Sequence, residues 1–233
     1  MDIKSQMTPE ERKSLHKTLF TRLSMFPVFL GLAVLVPAGT FNYWQLYAYL
    51  LTVTIPMLFV LFYFLKHDPQ FLVRRMKTKE KEKAQSLIQI TFSVFFLAGY
   101  IISGLDHRYG WSDIPEIYVL LTDLIIFLGY LIVFIVFKQN SFAARVVEVE
   151  KNQELITTGL YGIVRHPMYI GVLLMFVPTP LALGSWWGLI PMATVPFALV
   201  FRILNEEKVL KRDLPGYVDY CNKTRYRLVP GVW

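Results

Sequence analysis

The sequence predicts an all-α integral membrane protein with five to six transmembrane helices. Of its 233 residues, 55% are hydrophobic, and soluble domains average about 45–50% apolar residues. The apolar residues form long blocks, and a helix needs about 20 such residues to cross a hydrocarbon layer about 30 Å thick. Basic residues flank these blocks instead of interrupting them.

Four spans are predicted in the first part of the chain. They are 23–40, 43–65, 86–105 and 116–137. The last apolar region, 168–201, is too long for one span and short for two. Prolines and a Gly-Ser pair interrupt it near the middle, so we expect two shorter or kinked helices joined by a tight turn. Neighbouring helices satisfy the carbonyls that such prolines free.

We divide the chain into an N-terminal segment (1–22), membrane helices (23–138) and a C-terminal region (139–233) with a helical hairpin and a tail. The first segment is charged and has no early apolar core, so it is not predicted to be a cleaved signal peptide. Lysine and arginine are dense in 66–85 and sparse in 106–115. The positive-inside rule then places the N-terminal segment, the 66–85 loop, the 138–167 segment and the tail in the cytoplasm.

The formal net charge of +7 suits membrane lipids as partners, because the basic residues flank apolar runs. Nucleic acid is not an expected partner. Cys221 is the only cysteine, so it forms no intramolecular disulfide, and we interpret it as an incidental thiol. The four histidines show no ligand spacing, and no metal site is expected. The oligomeric state stays open.

The most informative stretch is 159–171, Gly-Leu-Tyr-Gly-Ile-Val-Arg-His-Pro-Met-Tyr-Ile-Gly. Ionisable groups at the mouth of a membrane segment are costly and mark functional sites. Gly159 and Gly162 suit a close approach of the backbone to a ligand or a positive φ, and Pro167 suits the first turn of a helix. The positive end of that helix, together with Arg165 and His166, would suit an anionic group. Taken singly, these residues also fit headgroup anchors of an ordinary membrane helix.

A second cluster follows about thirty residues later, where the last apolar run ends in Arg-Ile-Leu-Asn-Glu-Glu, residues 202–207. Arg202 and Glu206 are four residues apart and suit an intrahelical pair. Glu207 lies on another face, and we expect it to be free for a ligand. The two clusters together predict a polar pocket at the membrane face, suited to a ligand that carries both a carboxylate and an ammonium group.

Four blocks in order resemble the isoprenylcysteine carboxyl methyltransferase family, whose wider group includes phospholipid N-methyltransferases. The blocks are Gly-x-Tyr-x-x-x-Arg-His-Pro-x-Tyr-x-Gly (159–171), Arg-Ile-x-x-Glu-Glu (202–207), Leu-x-x-x-Leu-x-Gly-Tyr-x-x-Tyr (210–220) and Arg-x-x-Pro (227–230). The resemblance covers residues 140–233, and the earlier part of the chain matches only as generic membrane spans.

The resemblance implies S-adenosylmethionine as methyl donor and adds a C-terminal cytoplasmic cofactor pocket to the predicted fold. It implies cofactor binding by Gly159, Tyr161, His166, Pro167, Tyr169, Glu206 and Glu207, with Glu207 as the stronger of the two glutamates. It implies catalytic roles for Arg165 and Arg202. The proline that usually follows the first glycine is Leu160 here, so a looser turn is expected before Tyr161.

The acceptor is expected to be a lipophilic or prenylated molecule that enters from the bilayer. A prenylcysteine-type carboxylate is already anionic, and Arg202 or Arg165 would hold it in a bidentate grip. A phospholipid or other lipophilic amine would instead need His166 or a glutamate to take a proton. We expect Glu207→Gln to abolish donor binding without unfolding the protein, and Arg202→Ala to weaken acceptor use more than donor binding.

Two other classes of function stay open at this point. The stretch 226–231, together with Arg-His-Pro-x-Tyr-x-Gly, is similar to NADPH-dependent membrane sterol reductases. The Glu-Glu pair and the short chain favour the methyltransferase. A non-catalytic membrane scaffold is the third interpretation, and the complete set of motifs disfavours it.

Overall fold

The computed structural model describes residues 9–76, 83–143, 149 and 153–233. Its helices are α1 (Pro9–Ala38), α2 (Trp44–His67), α3 (Pro69–Met76), α4 (Lys83–Tyr109), α5 (Glu116–Gln139), α6 (Pro167–Phe176), α7 (Thr179–Ala182), α8 (Leu189–Met192), α9 (Thr194–Asp213) and α10 (Tyr217–Lys223), with a 3-10 turn at Gly159–Gly162. Residues 77–82 of the predicted basic loop, and 144–148 and 150–152 before the first motif, lie outside the described residues.

Within the described residues, five helical stretches are long and apolar enough to cross a membrane. They are Lys13–Ala38, Trp44–His67, Gln85–Tyr109, Glu116–Gln139 and Leu189–Asp213. A shorter apolar stretch, Pro167–Ala182, precedes the last of them. The predicted hairpin is therefore confirmed, with helix breaks after Phe176 and at Gly184, where φ is +73°. The protein is an all-α integral membrane protein.

Two helix boundaries differ from the prediction. Helix α1 begins at Pro9, before the predicted start at residue 23, because the charged residues that follow Pro9 continue the same helix. Helix α9 runs unbroken from Thr194 to Asp213, past residue 201, where the last apolar region was expected to end. It stops just before Pro215, and Gly216 adopts a φ of +79°.

Helices α5 and α6 touch through glycine, and this contact positions the first motif. A Cβ added to Gly171 of α6 would lie 2.7 Å from the carbonyl oxygen of Gly129 in α5 and 2.6 Å from Cγ2 of Val133. Since real Cβ atoms do not approach so closely, only glycine allows the two backbones to meet here. The first half of α6 is thereby fixed against the second half of α5.

The bundle has a polar cluster at each end. At what we call the opposite end, the Asp106 carboxylate accepts hydrogen bonds from the Ser112 N–H (2.7 Å), the Ser112 hydroxyl (2.6 Å) and the Ser185 hydroxyl (2.5 Å). The Tyr43 hydroxyl donates to the Leu183 carbonyl at 2.5 Å. These bonds fasten the loop between α7 and α8 to the end of α4. The motif end, which holds the four blocks, lies about 30 Å away along α4 at 1.5 Å per residue.

Candidate active site

The 3-10 turn places the first block against the end of α5. Gly159 has a φ of +61°, and a Cβ there would lie 2.6 Å from the Gln139 side-chain nitrogen. The Leu160 N–H donates to Gln139 Oε1 at 3.0 Å. The positive φ expected of Gly159 is confirmed. The group that approaches its backbone closely is the Gln139 amide, so the expected close approach to a ligand stays a prediction. Pro167 begins α6 with His166 immediately before it, as predicted.

The C-terminal tail joins the first block through backbone hydrogen bonds. The N–H groups of Arg165 and His166 donate to the carbonyls of Tyr226 and Arg227, both at 2.9 Å. The Tyr220 hydroxyl donates to the Tyr161 carbonyl at 2.7 Å. The third and fourth blocks of the sequence are therefore packed onto the first.

Glu207 is the centre of a buried ion cluster with Arg165, His166 and Arg227. Its side chain is 3% exposed. Its Oε1 accepts from Arg165 Nε at 2.7 Å and lies 3.3 Å from His166 Nε2, while its Oε2 accepts from Arg227 Nε at 3.0 Å. The expectation that Glu207 is free for a ligand is therefore wrong. A carboxylate removed from water needs such partners, and the first block and the tail supply them.

Arg165 is committed to the same part of the structure. Its Nη1 donates to the backbone carbonyls of Thr224 at 2.8 Å and Arg225 at 2.7 Å. With Glu207 on its Nε, the guanidinium connects α9, the first block and the tail. Arg165 therefore holds these three segments together.

Glu206 belongs to a different set of contacts, which we call the Arg202–Tyr169–Glu206 relay. Arg202 Nε donates to the Tyr169 hydroxyl at 3.0 Å, and that hydroxyl donates to Glu206 Oε2 at 2.5 Å. Glu206 Oε1 lies 4.0 Å from His166 Nδ1, and the Glu206 side chain is 22% exposed. Arg202 and Glu206 share a face of α9 as predicted, and the Tyr169 hydroxyl lies between them.

A cavity opens between the first block, α6, α9 and the tail. The predicted residues that line it are Tyr161, Arg165, His166, Pro167, Tyr169, Arg202 and Glu206. The other two predicted residues lie behind this wall, Gly159 against Gln139 and Glu207 against Arg165. Glu206 is therefore the glutamate that presents a carboxylate to the cavity, in reverse of the predicted preference.

Aromatic side chains form much of the cavity wall. Tyr161, Tyr217 and Tyr220 line it together with Phe142. Burial raises the pKa of Tyr161 to about 12, so this phenol is neutral at physiological pH. Asn140 also lines the cavity, and its Nδ2 donates to the Tyr161 hydroxyl at 3.1 Å. Sequence reasoning missed Asn140, although an amide directly after an apolar span was the available signal.

Gln85, in the first turn of α4, is a second residue that sequence reasoning missed. Its side chain is fully buried, and its Nε2 donates to the Arg202 carbonyl at 3.2 Å. Its Oε1 accepts from Arg202 Nη1, also at 3.2 Å. The only sequence signal was an amide at the head of an apolar helix.

The arrangement combines opposite charges at defined depths. Along α9, Arg202 lies one helical turn, about 6 Å, further into the bundle than Glu206. Such a cavity is suited to a ligand with separated positive and negative groups, or to two ligands of opposite charge. Among the residues that the structure describes, no three His, Cys, Asp or Glu side chains come together to hold a metal ion.

Part of the chain is similar to known proteins. Residues 117–214 match the protein family described as phospholipid methyltransferase. The nickel-cobalt-cadmium resistance protein NccN of Alcaligenes xylosoxydans xylosoxydans is 34% identical over 79 residues, which make up 32% of this chain and 35% of that protein. The resemblance is therefore confirmed at the level of the family for the matched segment, which contains the first two blocks and the start of the third.

Proposed function

We propose that this protein is an integral membrane methyltransferase that transfers a methyl group from S-adenosylmethionine to a lipophilic acceptor, foremost a prenylcysteine-type carboxylate. The observation that carries the proposal is the Arg202–Tyr169–Glu206 relay, which presents a cation and a carboxylate to one cavity. The relay lies inside the segment that matches the phospholipid methyltransferase family.

The cavity residues suit the donor by charge and by residue type. S-adenosylmethionine carries an ammonium group, a carboxylate, ribose hydroxyls and a flat base, and it supplies an electrophilic methyl group. Glu206 would accept from the ammonium or the ribose. His166 and the start of α6 would face the carboxylate. The tyrosines of the wall would pack on the base, and Gly159 and Pro167 would shape the turn that holds these groups.

The acceptor role falls to Arg202 in this proposal. A lipid that enters sideways from the bilayer meets the deeper part of the cavity first, and Arg202 lies there, one turn below Glu206. A guanidinium holds a carboxylate through two parallel hydrogen bonds. Arg165 would act indirectly, because its donors hold Glu207 and the tail carbonyls. Methyl transfer then depends mainly on alignment of the two reactants.

A second candidate acceptor is a phospholipid amine, and the family description favours it. In that case Arg202 would pair with the lipid phosphate, and the amine would lie toward Glu206 and His166. The spacing of about one helical turn between Arg202 and Glu206 suits the short distance between phosphate and amine in such a headgroup. The amine must lose a proton, so either Glu206 or His166 would accept it.

We further propose that the motif end faces the cytoplasm, where a soluble donor would reach the cavity. The lysine and arginine bias of the flanking segments supports this orientation. Membrane lipids would then be partners at both ends of the bundle.

The first experiment is calorimetric titration of the protein in nanodiscs with S-adenosylhomocysteine, with NADPH as the parallel ligand. Binding of S-adenosylhomocysteine at micromolar concentration without NADPH binding is the expected result. NADPH binding alone would transfer the assignment to the reductases, and binding of neither would leave the scaffold interpretation. Methyl transfer from labelled S-adenosylmethionine to a prenylcysteine analogue or to phosphatidylethanolamine then distinguishes the two acceptors.

A further inference from the structure

Gln85 makes two reciprocal hydrogen bonds to one residue on another helix. Its amide nitrogen donates to the backbone carbonyl of Arg202, and its amide oxygen accepts from the Arg202 guanidinium, each at 3.2 Å. One side chain of α4 therefore contacts both the main chain and the charged group of the same arginine in α9.

The burial of this amide makes the pairing specific. Gln85 has 0% exposure, and a buried amide without partners is costly. Both of its polar groups find partners on Arg202. A leucine of similar size would pack at this position without any need for partners, so a glutamine is explained best by what it does to Arg202.

The effect on Arg202 is to fix its guanidinium plane. The Tyr169 hydroxyl accepts from Nε, and Gln85 Oε1 accepts from Nη1. An arginine side chain has many rotamers, and holding it in advance reduces what binding must order. These contacts come from two different helices, α6 and α4, and they restrain both the position and the orientation of the cation.

We infer that Gln85 is a positioning residue that orients Arg202 toward the anionic group of the acceptor. The inference rests on the proposed role of Arg202. It adds α4 to the acceptor side of the cavity, a helix that none of the four sequence blocks includes.

The test compares Gln85→Leu and Gln85→Glu with the wild type, all in nanodiscs. We expect Gln85→Leu to raise the acceptor KM about tenfold, the usual loss for a hydrogen bond to a charged group. S-adenosylhomocysteine affinity should stay within about twofold, because the donor side keeps its contacts. Gln85→Glu should recover most of the loss, since its carboxylate still accepts from the guanidinium.

Two results would overturn the inference while leaving the proposed function in place. One is an unchanged acceptor KM in Gln85→Leu. The other is an equal loss of donor and acceptor binding with a lower unfolding temperature, which would make Gln85 a packing residue only. Failure of wild-type protein to bind S-adenosylhomocysteine would instead contradict the proposed function, and the two failures are therefore distinguishable.

Discussion

Each end of this bundle holds a carboxylate at its edge, and the two carboxylates have different kinds of hydrogen-bond partner. At the opposite end, the Asp106 carboxylate takes three hydrogen bonds from Ser112 and Ser185, all from neutral donors. At the motif end, Glu206 shares a tyrosine hydroxyl with Arg202 and also lines a cavity. Both carboxylates lie at the edge of an apolar bundle. The first is occupied in fastening a loop, and the second is placed to meet a ligand.

Within the motif end the same contrast separates two adjacent residues. Glu207 resembles Asp106 more than it resembles Glu206, because its oxygens are taken by Arg165, His166 and Arg227. A charged residue in a sequence motif is therefore not automatically a ligand-binding group. Its role depends on whether protein groups occupy all of its polar atoms or whether some of these atoms face the cavity.

The largest expected effect comes from breaking the buried ion cluster with Glu207→Ala. The variant leaves Arg165 and His166 buried without their carboxylate, and such a loss costs about 3–5 kcal/mol. We expect a lower unfolding temperature in detergent together with the loss of donor binding. The same change in binding at full thermal stability would show that Glu207 contacts the donor itself and would contradict its fastening role.

The comparison between the two ends is tested directly by Glu206→Gln and Asp106→Asn. Both variants replace a carboxylate by its amide. We expect Glu206→Gln to weaken S-adenosylhomocysteine binding about 10- to 100-fold, as for the loss of a charge-assisted hydrogen bond, with little change in stability. Asp106→Asn should lower the unfolding temperature and leave donor affinity unchanged. Calorimetry and thermal unfolding of the two variants measure these effects. Weaker donor binding in Asp106→Asn would contradict the assignment of donor binding to the motif end alone.

Arg202→Ala tests whether acceptor binding and donor binding depend on different residues of the motif end. Because Arg202 lies deeper than Glu206, the variant should raise the acceptor KM about tenfold or more while donor affinity changes by less than about threefold. Steady-state kinetics with the acceptor varied, beside calorimetry with S-adenosylhomocysteine, measure the two effects. Equal losses would mean that Arg202 serves mainly to hold Tyr169 and Glu206.

The smallest effect is expected at Cys221, which lies near the motif end and packs against the Tyr217–Tyr220 cluster. Burial raises the pKa of its thiol, so little thiolate is present at neutral pH. Cys221→Ala should change stability by about 0.5 kcal/mol or less and leave methyl transfer unchanged. Inactivation of the wild type by N-ethylmaleimide that does not occur in Cys221→Ala would contradict this prediction, because it would show that a group attached to Cys221 blocks the site.

Much of the fold could be predicted because long apolar blocks have few structural solutions in a membrane. The four spans and the broken hairpin followed from block length and proline position. The family resemblance likewise followed from residue types at fixed spacing. The start of α1 could not be predicted, because its charged first turns carry no hydropathy signal.

The different roles of Glu206 and Glu207 could not be predicted from the sequence for a different reason. Adjacent helical residues point about 100° apart, so the sequence shows that their roles differ and leaves the assignment to their surroundings. Those surroundings include Arg227 of the tail. Gln85 is a similar case, because its partner lies more than a hundred residues further along the chain.

Helix α9 is at once a membrane span and a wall of the cavity. It runs without a break from Thr194 to Asp213 and carries Arg202 and Glu206. Spanning helices respond to bilayers that are too thick or too thin by tilting, at a cost of fractions of a kcal/mol per Å. Any tilt of α9 displaces Arg202 and Glu206 relative to Tyr169, their common partner on α6. The lipid chain length of the host membrane therefore affects the geometry of this site. Rates measured in thin and thick bilayers refer to different positions of Arg202 and Glu206 relative to Tyr169.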